Sequence, residues 1–417
     1  MTGRVRQGQA MCGVVCCLIL PMCVGGTVAA DGNHRFAIRA GKIVTITKGT
    51  INHGIVLIRD GKIEAVGPAD QVSIPAGYEA VDAWGKWVMP GMIDIHSHAG
   101  VQGGLNDMVC QLNPGMRIGD GVDPESDYVE AALAAGVTTL QVVPGSGTNH
   151  SGFGVTYKTA GATKKERLVR RVGVMKITQA YNPERRAGDI GTTRMGMTWL
   201  LREHLERARG YDAAWTAYER GDRGQAPERD IALEFARPVF RGELPVLIHT
   251  YETWGVLTTM VMFHDEFSLK GIATHAAYDG HRMAQEAAKR AFPINIGPRV
   301  VDFYGHGDAR FRGMVPTYRE GGATEMSVNT DSFGFGQALL AVKAAMAARF
   351  GLDDEEALRL VTINPARAML LDHRIGSIEV GKDADLVIKQ TSLLDPTTPV
   401  EMVFVNGKIA YDARAEE

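Results

Sequence analysis

Between residues 35 and 88, short apolar runs alternate with turns marked by glycine. Gly41-Lys42-Ile43-Val44-Thr45-Ile46 is one run, and Gly54-Ile55-Val56-Leu57-Ile58 leads through Arg59-Asp60-Gly61 into Lys62-Ile63. Asp-Gly between two β-prone runs predicts a tight hairpin, because both central residues of such a turn take positive φ. The far end of the chain has the same pattern: Ala384-Asp385-Leu386-Val387-Ile388, then Val403-Phe404-Val405-Asn406-Gly407-Lys408-Ile409-Ala410. Together the ends predict a small β-sandwich assembled from both termini, residues 31–89 and 376–417. Two separate appendages would leave the same pattern.

The residues between, 90–375, alternate strand-like and helix-like stretches, which argues for a parallel α/β architecture. Candidate strands end near Ile95, Val143, Lys176, His249, His275, Ile296 and Thr330, with another over Val155–Thr159. Eight is the number for a closed (β/α)8 TIM barrel. Asp353-Asp354-Glu355-Glu356 predicts a capped helix start, and Gln337–Arg349 a helix stopped at Gly351. Residues 180–230 predict an insertion. They hold nine arginines and nine acids, with Leu201, Leu205, Ala208 and Trp215 at helical spacing, the mark of a solvated helix face.

The first thirty residues stand apart. Arg4 and Arg6 precede an apolar stretch from Met11 to Val24, and Gly25-Gly26-Thr27-Val28-Ala29-Ala30 follows, the order of a secretory signal peptide cut after Ala30. The apolar run falls short of the roughly 20 residues that a membrane helix needs, so stable membrane insertion is not expected after cleavage. An exported chain, periplasmic or secreted, follows as the expectation. Four of the five cysteines lie in this segment, leaving Cys110 without an intramolecular partner. The net charge of −3 becomes more acidic once two arginines are removed, which argues against a nucleic-acid partner.

Candidate chemistry centres on Val88-Met89-Pro90-Gly91-Met92-Ile93-Asp94-Ile95-His96-Ser97-His98. Residues i and i+2 of a strand share a face, so His96 and His98 form a half-site for zinc or a similar divalent ion. Val246-Leu247-Ile248-His249 and Gly271-Ile272-Ala273-Thr274-His275 each put a histidine after an apolar run, and Met326-Ser327-Val328-Asn329-Thr330-Asp331 puts an aspartate there. Strand ends ring one opening of a barrel, so these residues would converge. Of the remaining histidines, His34, His53, His204, His264 and His373 read as surface or structural, while His150, His281 and His306 stay open.

These motifs resemble the amidohydrolase superfamily, in the branch related to imidazolonepropionases and Xaa-Pro dipeptidase-like enzymes. The resemblance includes Ala135-Gly136-Val137-Thr138-Thr139-Leu140, His275 with Asp279-Gly280, Thr362-Ile363-Asn364-Pro365-Ala366 and Gly376-Ser377-Ile378-Glu379-Val380-Gly381-Lys382-Asp383-Ala384-Asp385-Leu386. It implies one or two divalent ions, zinc being expected. His96 and His98 would bind one and His249 and His275 a second, with Asp331 as ligand and general base and His275 also catalytic. It further implies a carboxylated lysine bridging the pair; Lys176 fits that place and Lys158 is its rival. Two loops depart from the family pattern, Thr148-Asn149-His150-Ser151-Gly152 and Ser332-Phe333 after Asp331.

The implied reaction is hydrolysis of an amide or peptide-like C–N bond in a small-molecule substrate, a dipeptide or N-acyl amino acid. Arg194, with Arg185 and Arg186, and Tyr251 are candidate substrate contacts. A mononuclear cyclic-amide hydrolase or deaminase is the alternative enzyme, and a non-catalytic metal-binding scaffold the alternative outside enzymes. A homo-oligomer is compatible with all three.

Overall fold

A computed structural model describes residues 34–185, 190–302 and 311–415, with the Arg185 side chain also outside it. The signal-like segment, Arg186 and His306 lie outside the described residues. The fold is mixed α/β.

Strands from both chain ends join in one seven-stranded sheet. Arg35–Val44, Thr50–Arg59 and Lys62–Pro68 form an antiparallel meander, and Glu79–Pro90 lies parallel to the first of them. Leu386–Lys389 pairs with Glu79–Pro90, followed by Val400–Val405 and Lys408–Asp412. The expected sandwich is therefore a single sheet. It curls enough for Phe36 and Phe404, from strands three places apart, to meet edge to face at 5.4 Å. The Ile63 and Gly381 backbones also join the sheet's far edge to the segment entering Leu386–Lys389. A curled sheet encloses its own core, and Ile38, Ile43, Val56, Ile58, Leu386 and Phe404 fill it.

Both expected hairpin turns are present, with φ of 52° and 78° at Asp60 and Gly61 and of 48° and 72° at Asn406 and Gly407. The turns pack against each other. A Cβ at Gly407 would lie 2.7 Å from the Gly61 Cα, so glycine is required by contact as well as by φ.

All eight candidate strands of the central region exist, but not all run parallel. Met92–Ser97 pairs in parallel with Val137–Val142. Met175–Thr178, Val246–Thr250, Gly271–His275, Ile294–Ile296 and Met326–Val328 form a second parallel series. Val155–Lys158 instead runs antiparallel to Val137–Val142, and His150–Phe153 antiparallel to Met175–Thr178. The cause is local: Gly152 has φ 105°, and a Cβ at Gly154 would lie 2.6 Å from the Val142 carbonyl oxygen. The chain thus reverses where a crossover helix was expected. Two seams bring the sheets together. Asp331 N–H donates to the His96 carbonyl at 3.0 Å, and Gly154 N–H to the Val174 carbonyl at 2.9 Å.

The insertion contains one long helix, Arg194–Glu219, which buries Met197, Leu201, His204, Leu205 and Ala208 against the sheet. Its other face is charged, with a two-pronged Arg202–Glu266 pair at 2.7 Å per prong. Asp353 caps the next-to-last helix, accepting from the Glu355 and Glu356 N–H groups as the sequence predicts.

Lys158 holds the two parts of the fold together. Its buried ammonium pairs with Asp385 and lies 3.3 Å from Asp383, in the segment entering the terminal sheet. Asp383 also accepts from Lys62 and Arg374. Lys158→Met leaves two buried carboxylates short of a partner and is expected to destabilise the chain by about 3–5 kcal/mol. Denaturant unfolding of the two proteins checks this, and an unchanged midpoint contradicts it.

Candidate metal centre

Strand alternation delivers two side chains of the centre. Val174 and Leu247 belong to an inner apolar cluster with Ile272, so Lys176 and His249, two residues on, face inward above them. By the same parity Ile272 would put Thr274 inside, not His275. His275 has φ 71°, and this left-handed turn carries its ring back to the cluster. Asp331 has φ 50° for the same purpose. Each such conformation costs of order 1–3 kcal/mol and persists because packing and hydrogen bonds impose it.

The histidine rings form an arc. Centroid separations are 5.4 Å from His98 to His96, 4.9 Å from His96 to His275 and 4.4 Å from His275 to His249. Asp331 Oδ1 lies 3.3 Å from Nε2 of both His96 and His98. These three ligand groups lie close enough together to hold one ion. Lys176 Nζ is 3.1 Å from His96 Nε2. Sequence reasoning placed all six side chains, and the structure brings them together.

Second contacts set the tautomers. His98 Nδ1 donates to the Val143 carbonyl at 2.7 Å and His275 Nδ1 to the Gly297 carbonyl, which turns each Nε2 lone pair toward the arc. His275 Nε2 is buried and has no hydrogen-bond partner among the described residues. A buried acceptor without a donor is costly, and a metal ion would satisfy it. The residues present therefore fit a divalent cation.

Asp94 was not singled out by the sequence. Its buried carboxylate accepts from the His96 N–H at 3.0 Å and from the Thr330 N–H at 3.2 Å, tying two ligand strands together. Its place two residues before His96 was the only signal.

Burial dominates the electrostatics. It lowers His96 well below the ordinary histidine value, with Lys176 adding to the effect, and brings His275 down to about 4. Burial also lowers Lys176 to about 7, against the pull of Asp331. For Asp331 burial acts upward, but the hydrogen bond to His98 and the positive potential of His275, His98 and Lys176 outweigh it and hold the carboxyl low. His96 and His275 are thus neutral and Asp331 ionised at neutral pH, the states that metal ligation requires. The metal-free chain should lose stability as pH falls from about 6.5 towards 4. The unfolded chain's histidines take up protons in that window, whereas the buried His275 and His96 do not; Asp94, raised to about 6 by burial, takes up its proton in the folded chain and offsets part of the loss. Thermal unfolding at pH 7 and pH 5 after chelation measures this; equal stability at both contradicts it.

Tyr251 lies at the centre, its ring stacked on His275 at 5.0 Å and 5° and flanked by Tyr181 and Tyr278. Arg194 does not offer a free guanidinium. It donates to Glu184 at 3.0 Å and to Glu252 at 2.8 Å, so its charge is matched within the fold. Lys158 is excluded as the bridging residue by its pairing with Asp385 and Asp383. His150 is the first residue of its strand but faces His204 at 5.1 Å, and His281 Nδ1 donates to the Tyr278 carbonyl at 3.3 Å.

Comparison with known proteins gives a consistent picture. The amidohydrolase family profile matches residues 313–410. The chain is 28% identical over 398 residues to the amidohydrolase tasK of Hapsidospora irregularis, covering 86% of this chain but only 40% of that protein's length. It is 28% identical to the imidazolonepropionase of Sphingopyxis alaskensis, over 90% of this chain and 93% of the relative. Among solved structures, an amidohydrolase from Thermotoga maritima MSB8 superposes with a TM-score of 0.81 at 27% identity, covering 90% of this chain and 100% of the other.

Proposed function

The chain belongs to the amidohydrolase superfamily, in the imidazolonepropionase and Xaa-Pro dipeptidase-like branch, and is a hydrolase of carbon–nitrogen bonds; from that premise we propose that it cleaves the amide or peptide-like bond of a dipeptide or N-acyl amino acid. The observation that carries this reading is the convergence of His96, His98 and Asp331 within 3.3 Å contacts, with Lys176 3.1 Å from His96. In this reading the eight strand positions close into a barrel across the two hydrogen-bonded seams, and the terminal sheet is its companion.

His96, His98 and Asp331 would hold one divalent cation, zinc being the expected ion, and His249 and His275 a second. Such a cation supplies Lewis acidity, which acidifies bound water and polarises the scissile carbonyl. Asp331, ionised at neutral pH, accepts the proton of the attacking water and returns it to the leaving nitrogen. His275, neutral and held by Gly297, stands beside the carbonyl's developing charge. Tyr251, stacked on His275, is placed to contact the substrate from the same side.

Lys176 is the bridging candidate. Its amine is neutral above about pH 7, and a neutral amine takes up carbon dioxide with loss of one proton to give a carbamate. Bicarbonate-dependent metal uptake should therefore rise with pH through about 7 and vanish in Lys176→Ala. Uptake indifferent to bicarbonate at every pH contradicts the carbamate.

A second reading, a mononuclear cyclic-amide hydrolase, draws on a specific observation. Among the described residues only His96, His98 and Asp331 gather as a close three-ligand group, and full-length relatives are named imidazolonepropionase. Turnover of dipeptides and N-acetyl amino acids against cyclic amides by the metal-loaded chain separates the two. Higher kcat/KM on cyclic amides overturns the first reading.

Export also belongs to this proposal, supported by the basic, apolar and small-residue order of residues 1–30. Among the described residues no helix is long and apolar enough to cross a membrane. Sequencing the N-terminus of the processed protein tests it; a start near Asp31 is expected, and an intact Met1 in the exported fraction contradicts it.

A further inference from the structure

A cavity of about 420 Å³ opens on the flank of the fold, between the loop around residues 117–124 and the Val155–Lys158 strand with the segment after it. None of its lining residues belongs to the metal centre. Five cationic side chains line it, Arg117, Lys164, Lys165, Arg167 and Arg171, against a single acid, Asp120. Its apolar lining is Val122, Val155, Tyr157 and Leu168.

The positive charge is largely uncompensated. Arg117 pairs with Asp120 at 3.3 Å, yet its Nε is buried and has no hydrogen-bond partner among the described residues. Arg167 donates to the Pro124, Thr159 and Gly161 carbonyls, which fix its position without neutralising it. Glu166, the acid in the same segment, faces Lys408 at 3.7 Å. Lys164, Lys165 and Arg171 make no side-chain hydrogen bond or ion pair among the described residues. A concave, low-dielectric wall focuses such a field and raises the local concentration of anions. The volume is that of a small-molecule site.

We propose that this cavity binds a small organic anion with an apolar body, of the carboxylate class. The body lies on Val155, Tyr157 and Leu168, and the carboxylate meets the unpaired cations at the rim, where charge-assisted hydrogen bonds to lysine and arginine hold it. The rim is joined to the metal centre by backbone. Tyr157 donates its hydroxyl proton to the Ala99 carbonyl at 3.0 Å, and Asp123 N–H donates to the Gly100 carbonyl at 2.7 Å. Ala99 directly follows His98.

Calorimetric titration of the full, metal-loaded chain with octanoate, octanol and acetate tests the proposal. Octanoate should bind saturably at millimolar concentration, more tightly than either control. In a Lys164→Ser/Lys165→Ser/Arg171→Ser variant its affinity should fall by about tenfold or more, the loss expected when charged hydrogen bonds are removed, while amide hydrolysis is unchanged. Equal binding of octanol and octanoate would show an apolar hollow only. Undiminished octanoate binding in the variant would place the anion elsewhere. No saturable binding would remove the site altogether. Any of these three results overturns the proposal.

Discussion

Asp331→Asn is expected to lower kcat by about 10²–10⁴ while the metal stays bound. The substitution keeps the shape of the side chain and one oxygen facing the two histidines, so the 3.3 Å contacts to His96 and His98 survive. What it removes is the ability to take a proton. The left-handed backbone at Asp331 fixes where the carboxylate sits, and asparagine tolerates that conformation better than most residues, so misfolding is not the expected cause of the loss. Steady-state kinetics with metal analysis on the same sample checks this. Full activity with metal retained contradicts the assignment of Asp331 as base.

The second large effect is expected for His96→Ala. His96 stands at the crossing point of the centre, touching Asp331 at 3.3 Å and Lys176 at 3.1 Å, with the rings of His98 and His275 on either side. Loss of an outer contact typically costs 10–100-fold in metal affinity, and loss of this ligand should cost more than that. Hydrolysis should fall to background. The metal-free protein should suffer less, because His96 Nδ1 is a buried atom without a hydrogen-bond partner among the described residues, and removing it offsets about 1–3 kcal/mol of the cavity's cost. Metal titration alongside thermal unfolding separates the two effects. Metal affinity equal to that of the parent chain refutes the placement of His96.

The six side chains of the centre were legible because strand ends are marked by short apolar runs, and the residue after each run is where a barrel keeps its chemistry. The hairpins at Asp60-Gly61 and Asn406-Gly407 were legible because few residue pairs accept two positive φ values. Other features depend on contacts distant in sequence. Lys158 and Lys176 follow similar β-prone runs, and only the partner 227 residues away shows that Lys158 is an ion-pair residue. The charge of Arg194 is matched by Glu184 and Glu252, one of them 58 residues away in the chain. The reversal at His150–Phe153 had a local signal in Gly152 and Gly154, but glycine marks a bend without giving its direction. The terminal runs form strands of one sheet as their alternation predicts, yet whether seven strands split into two layers or curl as one is decided by pairing, which alternation does not encode.

His275 is the most instructive of these. The apolar run before it predicted a site residue, and the residue is at the site through its own backbone conformation rather than through strand parity. Regular alternation would have turned it outward, and a left-handed φ of 71° brings it in.

Whether the side chains around His96 hold catalytic metal is decided by elemental analysis of the purified active chain and of Lys176→Ala, with activity measured on the same samples. About two ions per chain, falling in the variant together with activity, is the predicted result for a bridged pair. Undiminished hydrolysis by a chain that carries no metal would contradict it.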